Sequence, residues 1–325
     1  MKAVLCKSLG GPDALDVAEI DPPRAGKGEL VIAVSAVALN FFDTLMTRGK
    51  YQFKPEMPFS PGGEVAGAVA EVGPGVSGFA LGQRVMAYVK WNGCREAVAV
   101  DVESVTPIPD GVSDEAAAGL TITYGTAMHG LIDRGRLRLG ETVVVLGATG
   151  GAGLAAVEVA HLLGARVIAA GTSDDKLAIC REHGAAELLN LNACADLKEA
   201  IRALTGGAGA DIVYDCIGGP YAEPALRATA WQGRYLVVGF AAGDVPRIPL
   251  NLLLLKGCEL VGVFFGRFVE LQGQAHLAHM AQLLNWCAEG KLRPHIDRVV
   301  ALEETAEALH ALERREIKGK VIVRL

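Results

Sequence analysis

The pattern of hydrophobic and polar positions changes near residue 113 of this 325-residue chain. Before that point, short runs are either apolar throughout or alternate between apolar and polar residues, with Gly, Pro, Asn and Asp between them. This pattern is typical of β-strands joined by turns. The first third is therefore predicted to be β-rich, with strands at residues 2–6, 30–39, 65–73, 84–89 and 96–100.

From Ser113 onward, helical and strand patterns alternate. Residues 113–133 begin with Ser-Asp-Glu and are predicted to form an N-capped helical region. Continuous Val, Ile and Leu runs then alternate with helical segments, which indicates a parallel sheet covered by helices on both faces. The predicted strands are 142–148, 165–172, 187–192, 210–218, 234–240 and 258–265. The predicted helices are 153–165, 173–184, 196–207, 220–232 and 276–290, before a helix and a short strand within 301–325.

Composition narrows the class of protein. Hydrophobic residues make up 51%, 40 residues are Gly, and the net charge is −6 without a basic block, so neither nucleic acid nor an anionic membrane is an expected partner. The seven scattered cysteines contain no Cys-x-x-Cys motif, which favours buried thiols over disulfides or a zinc cage. No apolar stretch of about 18 residues and no leader-like segment is present. We expect a cytoplasmic α/β protein of two domains.

A glycine-rich segment lies between a predicted buried strand and a predicted amphipathic helix. Glycines let the backbone approach phosphate oxygens closely, and the start of the helix offers unpaired N–H groups to them. Because the strand, the turn and the helix occur together, the segment predicts a dinucleotide site. The residues expected to contact the phosphates are Ala148, Thr149, Gly150, Gly151, Ala152 and Gly153.

The end of the next predicted strand bears on which nucleotide binds. An NAD site usually places Asp or Glu about twenty residues beyond the glycine turn, but this chain has Gly171, Thr172 and Ser173 there. The two hydroxyls and Lys176 could contact a 2′-phosphate, so NADPH is expected and NADH is possible. Alternatively, Lys176 is simply an exposed lysine, and the two aspartates before it cap the next helix.

Motifs of one family occur along the whole chain. They are the run ATGGAGLAAVEVA at 148–160, an N-x-x-D pattern at 40–43 followed by Arg48-Gly49 and Tyr51, and the P-G-G-E stretch at 61–64. With these motifs the chain resembles the zinc-free quinone oxidoreductase (zeta-crystallin-like) branch of the medium-chain dehydrogenase/reductases. The resemblance implies a Rossmann dinucleotide-binding domain at 121–265. It also implies a β-rich, GroES-like catalytic domain formed by 1–120 and 266–325, with the substrate entering between the domains.

The resemblance also implies further cofactor contacts. The residues that correspond to the nucleotide cleft of the family are Asn40, Thr126, Cys216, Ile217, Gly239, Phe240, Val263, Phe264, Phe265 and Lys320. The chain departs from the family at Glu158, where Gln is frequent. It also departs near Leu191, where quinone reductases often carry Tyr beside the adenosine phosphate.

No metal site is expected. Zinc dehydrogenases of the same superfamily carry Gly-His-Glu where this chain has Gly62-Gly63-Glu64, and a ligand Cys near Asn40. A catalytic zinc needs about three protein ligands, and two of those positions cannot supply one. Only Cys94 lies where the structural-zinc lobe has four cysteines. His276 and His279 are three apart on a predicted helix, and we expect them to be polar positions on a partly exposed face.

The expected chemistry follows from the missing metal. Oxidation of an alcohol would lack its usual alkoxide stabilisation, whereas hydride addition to the far carbon of a conjugated carbonyl requires only hydrogen-bond donors aimed at the oxygen. Asn40 and Tyr51 match active-site positions of the family and are the candidate catalytic donors. The alternatives are a turn-forming Asn and a half-buried Tyr. Asp43 is expected to tie down the loop that carries Asn40.

The sequence therefore predicts an NADPH-dependent reductase whose small-molecule substrate is a quinone or an α,β-unsaturated carbonyl compound. Two alternatives stay open. The first is reduction of an enoyl or acrylyl thioester. The second is a nucleotide-binding protein with a structural or RNA-binding role, although the acidic charge balance disfavours RNA.

A homodimer is also expected. Residues 258–265 form the last strand of the Rossmann pattern and are apolar and rich in β-formers. Such a strand is usually a sheet edge, and an exposed apolar edge favours antiparallel pairing with a second copy. The interface would include Leu260 and Val261. The alternative is that a helix or the C-terminal tail covers this edge.

Overall fold

The computed structural model describes residues 1–325 and divides the chain into two units. Unit 1 consists of Met1–Ile122 and Phe268–Leu325, and unit 2 of Thr123–Arg267. Unit 1 is rich in antiparallel strands and unit 2 contains a parallel sheet with helices. The predicted fold class, a Rossmann sheet together with a β-rich GroES-like part, is confirmed.

Fifteen strands form the sheets. They are β1 (Lys2–Cys6), β2 (Leu15–Glu19), β3 (Glu29–Leu39), β4 (Glu64–Val72), β5 (Arg84–Tyr88), β6 (Ala97–Asp101), β7 (Val105–Pro107), β8 (Thr142–Leu146), β9 (Arg166–Gly171), β10 (Glu187–Asn190), β11 (Ala210–Asp215), β12 (Thr229–Val237), β13 (Glu259–Gly262), β14 (Ile296–Ala301) and β15 (Lys320–Arg324).

Eleven α-helices connect them. They are α1 (Phe41–Thr47), α2 (Asp114–Ala118), α3 (Thr123–Met128), α4 (Gly151–Leu162), α5 (Asp174–Glu182), α6 (Leu197–Leu204), α7 (Ala222–Arg227), α8 (Asn251–Lys256), α9 (Phe265–Leu271), α10 (Gly273–Ala288) and α11 (Thr305–Glu313). Four short 3₁₀ helices and one π-helical turn, His129–Arg134, complete the secondary structure. None of the helices combines the length and the apolar character needed to cross a membrane.

The main sheet of unit 1 has the order β14-β15-β3-β4-β5-β7, and β6 also pairs with β3. Strand β3 lies at its centre and is buried along most of its length, so its apolar run needs no strict alternation. The pairing sets Val321 opposite Leu39 and Ala38 opposite Glu64. The end of β3 and the starts of β4 and β15 therefore meet at one end of the sheet.

Unit 2 contains a six-stranded sheet of order β10-β9-β8-β11-β12-β13, in which every pair is parallel. The centre of this sheet is fully buried, for example at Val144, Leu146 and Ile168, which explains the continuous apolar runs in the sequence. The strand order reverses between β8 and β11. In open α/β sheets, ligands bind outside the carboxyl ends of the strands at such a switch point.

Three predicted elements differ from the structure. The region 113–133 is broken into α2, α3 and the π-helical turn. The predicted helix 220–232 ends early, since β12 already starts at Thr229. The predicted strand 258–265 is shorter than expected because β13 ends at Gly262 and α9 begins at Phe265. Phe265, Phe268 and Val269 are all buried, and this helical spacing of apolar residues favours a helix over a longer strand.

Candidate cofactor and active site

The glycine turn after β8 is closely packed against the start of α4. Gly147 adopts a left-handed conformation with φ +78°, and the Gly147 and Ala148 N–H groups donate to the Ala170 carbonyl at 3.0 Å. A Cβ atom on Gly153 would lie 2.0 Å from the Gly147 carbonyl oxygen. Only Gly is therefore tolerated at position 153, and the backbone of the turn lies directly on the helix.

The start of α4 is open toward the turn. Gly150 is the N-cap residue, and no side chain caps the first N–H groups of the helix, which lack intrahelical partners. A Cβ atom on Gly150 would meet only the Gly147 carbonyl oxygen, 3.8 Å away. Thr149, Gly151 and Ala152 are half-buried around this space. The arrangement fits the pyrophosphate of a dinucleotide, which uncapped N–H groups and the helix dipole would attract.

The end of β9 carries no carboxylate. Gly171 is buried, Thr172 is exposed, and Ser173 is the N-cap residue of α5 without a side-chain capping bond. The following Asp174 carboxylate accepts a hydrogen bond from Asn190 Nδ2 at 2.9 Å. Lys176 is half-buried in the first turn of α5. These residues are compatible with binding of a 2′-phosphate.

Asp215, at the end of β11, shapes the next loop. The resemblance places it at the start of the stretch 215–219, which corresponds to the nucleotide cleft of the family, but gives it no role of its own. Its carboxylate accepts hydrogen bonds from Ile217 N–H and Gly218 N–H, both at 2.8 Å, and from Tyr235 Oη at 2.6 Å. Burial raises the pKa of Asp215. Three donors on one buried carboxylate fix the turn that carries Cys216 and Ile217. The local signal in the sequence is an acidic residue at the end of an apolar strand.

The remaining expected cofactor residues of unit 2 lie on several elements. Gly239 and Phe240 follow β12, and the Ala241 N–H that comes next donates to the Cys216 carbonyl at 3.2 Å. The other residues are Thr126 within α3, buried Val263 and exposed Phe264 after β13, and buried Phe265 at the start of α9. The segments after β8, β9, β11 and β12 thus share the carboxyl edge of the sheet.

Asn40 and Lys320, the expected cofactor contacts in unit 1, form a buried cluster with Glu64. Lys320 Nζ donates to Glu64 Oε1 and to Asn40 Oδ1, each at 2.7 Å. Asn40 Nδ2 donates to Glu64 Oε1 at 2.9 Å and to the Ala38 carbonyl at 3.3 Å. Ile122 N–H donates to Glu64 Oε2 at 2.7 Å. Since ammonium only donates and carboxylate only accepts, the orientation of the Asn40 amide is fixed, and both its hydrogens are used within the protein.

Asp43 lies beside this cluster and holds the loop at the start of α1. Its two carboxylate oxygens accept Asn40 N–H and Gly62 N–H, both at 2.8 Å. This is the structural role expected for Asp43. Burial raises the pKa of Asp43 to about 7, although the two N–H groups and Lys320 act in the opposite direction.

Tyr51 lies in an aromatic environment within unit 1. Its ring centroid is 5.2 Å from that of Phe42 and 5.9 Å from that of Phe53, and Trp91 packs on the same apolar cluster. Burial raises the pKa of Tyr51 to about 12. The half-buried phenol therefore stays protonated at neutral pH and can donate a hydrogen bond.

The residues present do not fit a zinc ion. No three His, Cys, Asp or Glu side chains of the chain converge in a way that could hold a metal. At Gly63, where zinc dehydrogenases have the ligand His, a Cβ atom would lie 2.7 Å from the Phe42 ring and 2.9 Å from the Lys90 carbonyl oxygen. His276 is almost fully buried rather than partly exposed as expected. Its ring packs edge-on against Phe268, and burial lowers its pKa to about 4.

A parallel sheet with a glycine turn, together with a β-rich unit, is the architecture of two-domain dehydrogenases and reductases, and comparison with known proteins agrees. The family model "Alcohol dehydrogenase GroES-like domain" matches residues 26–130, and the model "Zinc-binding dehydrogenase" matches residues 151–285. Quinone oxidoreductase-like protein 2 of Rattus norvegicus is 36% identical over 326 residues, which cover 100% of this chain and 92% of the relative. This chain belongs to the quinone oxidoreductase branch of the medium-chain dehydrogenase/reductase superfamily.

Solved structures of similar proteins cover the whole chain, and two of them illustrate the similarity. A probable oxidoreductase from Mycobacterium abscessus is 37% identical with a TM-score of 0.90, and 100% of this chain and 99% of that chain are covered. A mycobacterial protein solved in complex with NADPH is 29% identical with a TM-score of 0.93, and both chains are covered completely. The similarity therefore extends to a structure that contains a nicotinamide nucleotide.

Proposed function

We propose that this chain is an NADPH-dependent reductase that acts on a quinone or an α,β-unsaturated carbonyl compound without a catalytic metal ion. The observation that carries this proposal is the glycine turn, in which Gly153 tolerates no side chain and the start of α4 has no side-chain cap. Both features suit a bound pyrophosphate. The complex of a similar mycobacterial protein with NADPH supports the same assignment.

The absence of negative charge at the end of β9, together with the nearby Lys176, supports NADPH over NADH as the cofactor. An Asp or Glu side chain at position 171, 172 or 173 would repel a 2′-phosphate, and the chain has Gly, Thr and Ser there. The nearest acid, Asp174, is engaged by Asn190. Lys176 provides a cation in the first turn of α5. We therefore assign recognition of the 2′-phosphate to Thr172, Ser173 and Lys176.

Tyr51 is the proposed hydrogen-bond donor to the substrate oxygen. A reduced nicotinamide, when bound, supplies the electrons and the hydrogen for the far carbon of the conjugated acceptor. Negative charge then develops on the carbonyl oxygen, where a fixed donor stabilises it. The Tyr51 phenol remains protonated and takes part in no hydrogen bond within the structure. We retain Asn40 in the site as a positioning residue, because Glu64 and Ala38 already accept both of its amide hydrogens.

An NADPH-oxidation screen over quinones, enones and enoyl thioesters tests this function. We expect turnover with quinones or enones, and about 100-fold lower turnover in Tyr51→Phe with nucleotide affinity almost unchanged. Phe53→Leu, which alters the same aromatic group without a hydroxyl, is the control. Turnover confined to enoyl thioesters would replace the proposed substrate class. Absence of NADPH oxidation with all three classes would overturn the proposal.

We further propose that two copies pair through β13. This strand is an edge of the unit 2 sheet and pairs only with β12. Leu260 is 40% exposed, whereas Val261 faces the interior at 8%. Leu254 and Leu255 of the preceding helix α8 are also strongly exposed. The Gly262 carbonyl at the end of this edge already accepts from Arg134 Nε at 3.0 Å. Antiparallel pairing about a two-fold axis would satisfy the other edge groups and cover Leu260.

A further inference from the structure

The geometry points to Glu64 as a positioning residue that fixes the Asn40 amide and the Lys320 ammonium in one catalytically competent arrangement. This inference rests on the proposed function, because it concerns the same site in unit 1. Glu64 is fully buried at the start of β4, in a strand that is otherwise apolar over its first residues. A buried carboxylate is costly unless its oxygens are well paired.

The hydrogen bonds explain how Glu64 acts. Its carboxylate accepts from three donors that are distant in sequence: Asn40 Nδ2, Lys320 Nζ and Ile122 N–H, at 2.7–2.9 Å. An amide in place of the carboxylate would turn an N–H₂ group toward at least one of these donors. Depending on which way the amide is turned, either Ile122 N–H or the Asn40 and Lys320 donors lose their acceptor, so the cluster has to rearrange.

The negative charge of Glu64 also balances the positive charge of the buried Lys320 ammonium. Lys320 is 2% exposed, and Glu64 is the only carboxylate bonded directly to its ammonium. Two of the three ammonium hydrogens are used, by Glu64 and Asn40. Glu64 therefore holds the buried ammonium in position together with Asn40.

Glu64 also binds a backbone N–H group next to the start of α3. Ile122 N–H, which Glu64 Oε2 accepts, directly precedes the first residue of α3 at Thr123. A Cβ atom on Gly63 would lie 3.1 Å from Ile122 Cδ1, so the side chain of Ile122 also packs beside the start of β4. The Glu64 carboxylate therefore accepts hydrogen bonds from the residue that follows β3, from the first residue of β15 and from the residue that precedes α3.

The test compares Glu64→Gln, Glu64→Asp and wild type, with Glu158→Gln as the matched control. Glu158 is also buried and accepts a hydrogen bond, from Tyr124 Oη at 2.8 Å, but it has no part in the proposed mechanism. For Glu64→Gln we expect turnover at saturating substrates to fall about tenfold or more, because small misplacements of positioned groups are costly. Substrate KM should stay within about threefold. Glu64→Asp, which keeps the charge but is shorter, should recover part of the turnover, and Glu158→Gln should retain it.

Two measurements without substrate accompany the kinetics. The melting temperature reports folding, and the hydrogen-exchange rate of the Ile122 amide reports the bond to residue 64. Faster exchange in Glu64→Asp than in Glu158→Gln is expected because the shorter side chain cannot reach all three donors. If Glu64→Gln does not fold, the double variant Glu64→Gln/Lys320→Met removes both buried charges, and we expect it to fold with low turnover.

Turnover within about twofold of wild type in folded Glu64→Gln, or in the double variant, would overturn the inference. So would a lowered melting temperature with unchanged turnover, since that result describes a purely structural residue. Failure of the proposed function is distinguishable, because it appears as absence of activity in the wild-type screen. In that case, unchanged exchange at Ile122 in Glu64→Asp would overturn the positioning role by itself.

Discussion

The pKa of Asp43 makes the stability of unit 1 depend on pH in an unusual direction. Asp43 is completely buried, and burial raises its pKa from 3.8 to about 7. Two backbone N–H bonds and Lys320 favour the ionised form but do not outweigh burial. The folded state therefore binds the Asp43 proton more tightly than the unfolded state does. Stability is then highest at low pH and falls as the pH rises from about 4 to 7.

The size of this effect follows from the pKa difference. Each pKa unit corresponds to about 1.4 kcal/mol. Between pH 5 and pH 8 the folded state loses its proton while the unfolded state is already ionised. The contribution of Asp43 to the free energy of unfolding should therefore decrease by about 3 kcal/mol over this range.

Urea unfolding of wild type and Asp43→Asn at several pH values measures the effect. The asparagine cannot ionise, so the difference in unfolding free energy between the two proteins isolates the titration of Asp43. Trp91 and Trp286 lie in unit 1, and Trp231 in unit 2 is 70% exposed. A Trp231→Phe background therefore makes tryptophan fluorescence report unit 1 alone.

The advantage of wild type over Asp43→Asn should be largest at pH 5 and shrink by about 3 kcal/mol at pH 8. Asp110→Asn, which changes an exposed aspartate of the same unit, controls for the loss of a surface charge and should show no such trend. A wild-type advantage that is constant with pH would refute the reasoning. It would mean that the Asn40 and Gly62 N–H groups keep Asp43 ionised in spite of its burial.

The other predictions concern the cofactor, the metal and the assembly. Lys176→Ala should weaken NADPH binding by about 1–3 kcal/mol in a titration and leave NADH binding almost unchanged; equal losses would show that the lysine does not contact the 2′-phosphate. Purified protein should contain no stoichiometric zinc by elemental analysis and stay active in chelator, because Gly63 leaves no room for a ligand; one bound zinc, lost together with activity, would contradict this. Light scattering at micromolar concentration should give about twice the 34.0 kDa of one chain, and a monomer would reject the dimer. Leu260→Pro, which removes an N–H donor from the free edge of β13, should weaken the dimer, and a variant that remained fully dimeric would exclude this strand.

Local patterns were sufficient to predict most of the Rossmann sheet. The strands of unit 2 are buried on both faces, so their apolar runs are continuous and easy to identify. The glycine turn was equally clear, because close packing of Gly153 on Gly147 leaves no alternative residue. The length of β13 was overestimated because Val263 to Phe265 are apolar in either a strand or a helix. Only the burial of Phe268 and Val269, one turn further on, distinguishes the two.

The cluster around Glu64 could not be predicted from any local pattern. Its partners Asn40, Ile122 and Lys320 are 24, 58 and 256 residues away along the chain. They meet because β3 pairs with both β4 and β15, and strand register over such distances leaves no periodic signal. The one local sign of the cluster in the sequence is Glu64 itself, an acidic residue at the start of an apolar strand. It indicates a buried partner without identifying it.

The buried ion pair between Lys320 and Glu64 is better explained by function than by stability. Desolvation of two charges offsets most of their attraction, so apolar side chains of similar volume would often stabilise a fold at least as well. Here the pair lies at the end of the sheet rather than in its centre, and it also engages Asn40 and Ile122. An apolar replacement would preserve packing but would leave the Asn40 amide without its partners. The cost of burial is therefore balanced by a fixed arrangement of the Asn40 amide and the Lys320 ammonium, which is the role proposed for Glu64.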